Sequence, residues 1–87
     1  MISLAEKTIE EINDVVQKGS VLIYSASFDG VVDEGSRHYL VVDKKSLWRN
    51  KRIHSLELYE VGVAHQVRHE YSTSNVFQHR SHYHVIP

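Results

Sequence analysis

Two short runs, Val21-Leu22-Ile23-Tyr24 and Tyr39-Leu40-Val41-Val42, contain no charged or amide residue. Successive side chains of a strand point to opposite faces, so each run needs cover on both sides of its sheet. Both strands therefore belong inside a sheet, and that sheet needs a layer on each face or must curl over its own core. Cover is scarce in a chain of 87 residues, because a domain of this size hides only about 60 to 65 percent of the surface its unfolded form would expose. No cysteine is present to staple it, which removes a disulfide framework and a thiolate metal site together.

One helix is predicted, over residues 3 to 18. Ser3-Leu4-Ala5-Glu6 has the form of a capping box, and acids crowd the first turns, where the helix dipole favours them. Ala5, Ile9, Ile12 and Val16 repeat with the helical period, Val15 flanks that stripe, and Gly19 offers the left-handed residue that ends it.

Everything after Gly19 reads as strands. Ser20 to Phe28 leads to Asp29-Gly30, a strong signal for a two-residue hairpin turn. The return strand begins at Val31, is interrupted at Asp33-Glu34-Gly35-Ser36 by a bulge or a loop, and resumes over 37 to 43. After a basic connector come segments 53 to 63 and 63 to 71, one long strand if Gly62 is a bulge, since the apolar parity changes there. Ser72-Thr73-Ser74-Asn75 is read as a turn into a last strand, 76 to 86. The expected fold is α+β and a single domain spanning 1–87: one N-terminal helix on a four- to five-stranded, mostly antiparallel sheet, open or curled into a half-barrel. An open sheet would leave one apolar face bare, which points to a homodimer or larger oligomer.

The near-zero net charge conceals an asymmetry. Residues 1 to 43 carry eight acids and three bases, whereas residues 44 to 87 carry seven bases and three acids. Half of the lysines and arginines lie in the connector 44 to 52, where Lys44, Lys45, Arg49, Lys51 and Arg52 surround Trp48. Cations that neutralise phosphate beside an aromatic stacking face are the means by which nucleotides and single strands are held. These six residues are the candidate ligand site, and the same residues also suit a solvated connector.

The histidines form the second candidate. A four-residue loop at 72 to 75 would set His65 opposite His82 with His84 on the same face, a possible three-imidazole metal site. No familiar metal spacing supports it, and structural imidazoles remain the leading reading; no cofactor is expected. Arg80, His82, Tyr83 and His84 also offer the residue types that a metal-independent ribonuclease uses as base, acid and phosphate donors. The stretch is loosely similar, over about five residues, to the C-terminal strand of RelE-type toxins, which is rich in Arg, His and Tyr. Those toxins are strongly basic and open with a strand before paired helices, whereas this chain is near neutral and opens with a helix.

No nucleophile elbow, phosphate-cradling glycine loop or carboxylate pair is present. The N-terminus lacks a basic region followed by an apolar one, and the apolar runs are too short to span a bilayer. The expectation is a cytoplasmic, non-enzymatic regulator or inhibitor, of the mobile-element kind, that binds no membrane. It would engage an anionic partner: a nucleotide-type ligand, a nucleic acid or an acidic protein surface.

Overall fold

The computed structural model describes residues 1–26, 32–47 and 50–87, with the side chains of Asn50 and Lys51 outside the description. Its elements in chain order are β1 (Ile2–Ser3), α1 (Ile9–Val15), β2 (Val21–Tyr24), β3 (Arg37–Leu47), β4 (Asn50–Glu60), β5 (Arg68–Ser72), α2 (Thr73–Gln78), a 3₁₀ turn (Arg80–His82) and β6 (Tyr83–Ile86). The class is α+β, with six strands in the order β1-β6-β2-β3-β4-β5 and every pairing antiparallel.

The N-terminal helix is shorter than the sequence suggests. Two stretches match a capping box, and the second is the one that forms: Glu11 N–H donates to Thr8 Oγ1 at 3.1 Å and Thr8 N–H to Glu11 Oε1 at 3.0 Å. Ser3 lies in β1 opposite His84, and its hydroxyl accepts from Ala5 N–H at 3.3 Å. Leu4, fully buried, donates its N–H to Tyr83 O at 3.0 Å, so strand pairing outcompetes a longer helix. Beyond α1, Gly19 does take a left-handed φ of 94° in the turn to β2.

The second half departs further. Ser72 to Asn75 is the start of a helix rather than a hairpin turn: Ser72 Oγ caps α2 by accepting from Asn75 N–H at 3.1 Å. Serine, threonine and asparagine mark helix N-caps as well as turns. What selects the helix is burial, since Thr73 and Val76, three apart, are both fully buried. The last strand is accordingly Tyr83–Ile86, not 76 to 86, and it pairs with β1 and β2 rather than β5. Gly62, at φ 87°, belongs to the connection between the antiparallel neighbours β4 and β5, not to a bulge in one long strand. Register shifts lie in β3, between Val41 and Asp43 and between Ser46 and Leu47. The Asp33–Ser36 interruption is a loop, closed by Gly35 N–H on Asp33 Oδ1 at 2.8 Å. The Asp29-Gly30 turn lies outside the described residues.

Strand register sorts the side chains onto two faces. Leu22, Val41, Leu56, Leu58, Tyr83 and Val85 share one face and are buried with Ile12, Val16 and Val76 of the helical layer. The other face carries Ile86, Val21, Leu40 and Tyr59 as one cross-strand row. Both all-apolar strands are thus interior, as their composition requires. The sheet also bends toward the helices. β5 and β6 lie four strand spacings apart, roughly 19 Å on a flat sheet, yet the rings of Tyr71 and Tyr83 are 6.4 Å apart.

Candidate functional site

That bend creates a cavity of about 360 Å³ on the helix-bearing face. Leu22 and Leu58 form its apolar floor, and Tyr24, Tyr39, Tyr71 and Tyr83 supply aromatic walls. Four of the chain's five tyrosines are therefore gathered in one place. The gathering follows from period 2 on successive strands: Leu22 and Tyr24, Arg37 and Tyr39, His69 and Tyr71 each project toward the same face. His79 and His82 enter from the segment that follows α2.

The rings are packed at angles rather than stacked in parallel. Tyr24 meets Tyr83 at 5.3 Å and His82 at 5.9 Å, while His69 meets Tyr39 edge-on at 5.9 Å. Such tilted arrangements suit aromatic quadrupoles. Tyr83 is deeply buried, and burial first, then its hydrogen bond to Tyr71, pushes its ionisation far above the ordinary phenol value of 10.0. It therefore stays a neutral hydrogen-bonding group at any physiological pH.

Arg37 is exposed at the cavity edge, where the hydrogen bond it donates to Tyr39, the field of Tyr39 and then that of Glu60 raise its ionisation further above the ordinary guanidinium range. A guanidinium is charged across the whole working range in any case, so the gain is orientation. His82 is held at two points. Its Nδ1 lies 2.8 Å from Ser25 O, and Ser25 N–H donates to His82 O at 2.8 Å. A carbonyl oxygen only accepts, so Nδ1 carries the proton and Nε2 is the acceptor nitrogen of the neutral ring.

The residues singled out from sequence are dispersed. His82 and Tyr83 line the cavity. Arg80 does not; its guanidinium lies 4.4 Å from the Phe77 ring centre and donates to Phe77 O at 3.0 Å, with Nε buried and unpaired. His84 alternates to the opposite face beside Ile23, and its Nδ1 has no hydrogen-bond partner. His65 is exposed between β4 and β5. The hairpin that was to set it against His82 does not form, and no group of three metal-ligating side chains occurs among the described residues.

The described residues of the connector are strand: Lys44 and Lys45 lie in β3, Lys51 and Arg52 in β4. Lys44 Nζ donates to Val16 O at 2.8 Å and also to Asn13 O, capping the C-terminus of α1, and burial lowers its pKa below 10.5. Lys45 pairs with Asp43 at 3.7 Å and Arg52 with Glu10 at 3.5 Å. Trp48 and Arg49, and the Lys51 side chain, lie outside the described residues.

Sequence reasoning missed Arg37, His69 and His79, along with Tyr24, Tyr39 and Tyr71. A signal was present in Arg37-x-Tyr39 and His69-x-Tyr71, each a polar group and a phenol on one strand face. No protein-family model matches the chain, and neither the curated proteins nor the solved structures provide a match. Function must therefore be argued from the site.

Proposed function

We propose that the chain is a small binding module, acting as a regulator or inhibitor, whose helix-side cavity takes an anionic, nucleotide-type ligand. One observation carries this: among the described residues the cavity is lined by a guanidinium and three imidazoles with no carboxylate, over an apolar and aromatic interior. Cationic groups without a counter-acid favour an anion, and the aromatic walls favour a flat ring attached to it. The volume falls within the range of small-molecule sites. Four phenols alone would equally suit a cationic guest, but Arg37 opposes one.

Support for the connector as the anion site is weaker, because each of its described bases already has a protein partner. Nucleic acid remains within the proposal as a polymer presenting the same chemistry. A second copy of the chain is the further partner we propose, seated on the row of Ile86, Val21, Leu40 and Tyr59. A cytoplasmic setting completes the reading, supported by the cysteine-free composition. No helix among the described residues is long and apolar enough to cross a membrane.

Isothermal titration with a nucleoside monophosphate, with orthophosphate and with a quaternary ammonium compound tests the cavity. The monophosphate should bind, orthophosphate more weakly, and Arg37→Ala should weaken the monophosphate about 10-fold or more, the worth of one charge-assisted contact. Equal binding by Arg37→Ala, or preference for the ammonium compound, would refute the assignment.

A further inference from the structure

The cavity holds more than binding requires. A pocket that only binds an anion has no need of an imidazole with a fixed tautomer, yet His82 Nδ1 is committed to Ser25 O at 2.8 Å and the Ser25 amide returns a bond to the same residue. A base oriented by a third group is the arrangement of acid–base catalysis. His79 lines the same cavity from an exposed position, three residues earlier in the chain. Arg37 stands at the edge with its guanidinium oriented by Tyr39. The phenol of Tyr83, kept neutral by burial and by its hydrogen bond to Tyr71, cannot become a competing anion.

From this constellation we infer that the cavity is a transesterification site for RNA phosphodiesters, with His82 as general base, His79 as general acid and Arg37 on the phosphate. This rests on the anion-binding reading of the cavity and names the substrate class for it. His82 Nε2 takes the proton of the ribose 2′-hydroxyl as the 2′-oxygen forms a bond to phosphorus. The bond from phosphorus to the 5′-oxygen breaks, and protonated His79 gives that oxygen its proton. The products are a 2′,3′-cyclic phosphate and a 5′-hydroxyl end. The diester consumed and the cyclic phosphate formed each carry a single negative charge, one proton is taken and one is given, and no oxidant or reductant enters. Arg37 neutralises the non-bridging oxygens, where charge accumulates in the transition state. Of the four side chains suggested by the terminal sequence, only His82 is used in this scheme as a proton carrier. Arg37 and His79 take the places of Arg80 and His84, which lie elsewhere.

The experiment uses a short single-stranded RNA and its all-deoxy counterpart, both fluorescently labelled, with excess EDTA in every reaction. The full chain should cleave the RNA to 2′,3′-cyclic phosphate ends and should bind the deoxy strand without cleaving it, since the attacking hydroxyl is missing. His82→Asn retains a side-chain N–H for Ser25 O but has no basic nitrogen, so it should fold, bind the deoxy strand and lose about 100-fold or more of the cleavage rate. His79→Ala, at an exposed position, should lose rate to a similar degree. Binding of the deoxy strand with no RNA cleavage would overturn the catalytic inference and leave the anion-binding reading standing. Failure of either strand to bind would overturn both. Cleavage that persists unchanged in both variants would also overturn the inference.

Discussion

Thr8 and Ser3 show how little local sequence separates a real cap from an apparent one. Each is followed three residues later by glutamate, and only Thr8 exchanges both hydrogen bonds with it. Thr8→Ala should therefore cost about 1 kcal/mol in urea unfolding, while Ser3→Ala should leave α1 unchanged by far-ultraviolet circular dichroism. Bonding to Thr8 also holds the Glu11 carboxyl below its usual 4.5. Its contribution is complete above that value and is lost as the pH falls through the lowered one. His54 works in the opposite chemical sense. Burial first, and then the charge of Lys44, lowers its pKa below 6.5. Below about 6.5 the unfolded chain takes up a proton that the native ring resists, so stability falls with acidification. Urea midpoints at pH 7.5 and 5.5 should differ less in His54→Asn than in the native chain; an equal difference would assign the acid sensitivity elsewhere. Residue identity alone made these groups visible as titratable, but their partners come from other elements.

Among the elements, the long pair β3 and β4 changes the meaning of the basic segment. Bases that look clustered in sequence are divided between two strands and drawn into separate contacts, Lys44 with α1 and Arg52 with Glu10. Lys44→Met removes the donor that closes α1, and should cost about 1.5 to 3 kcal/mol, the range for hydrogen bonds to a charged group. It should leave monophosphate affinity within about twofold of the native value. A loss of affinity without a loss of stability would return the ligand site to the connector. Helix α1 was legible because Ile9, Ile12 and Val16 keep the helical period, although the cap read at Ser3 forms at Thr8. Helix α2 was not, because six residues show less than two turns of period and Ser72, Thr73, Ser74 and Asn75 are equally good turn formers. Its consequence was large: once 73 to 78 is helical, the last strand cannot fold back on β5, and every histidine pairing drawn from a hairpin disappears.

For the whole molecule, the proposed seat of a second copy is the face away from the helices. Leu40 and Ile86 there are 38 and 44 percent exposed, within the row that Val21 and Tyr59 complete. Sedimentation at about 100 µM should show a dimer, and Leu40→Arg should give a monomer with an unchanged thermal midpoint; a native monomer at that concentration would refute the second-copy proposal. By itself the sequence determined the α+β class, one N-terminal helix and two interior strands, because period and composition are properties of neighbours along the chain. Only the tertiary structure decided that β1 closes beside β6, that Lys44 caps a helix, and that Tyr24, Arg37, His69, His79 and His82 meet around one cavity. Those contacts join residues up to 83 positions apart, Ile2 with Val85, through the bend of a six-stranded sheet. Side-chain alternation assigns a residue to a face, but it is strand order and curvature that determine which residues on that face come together.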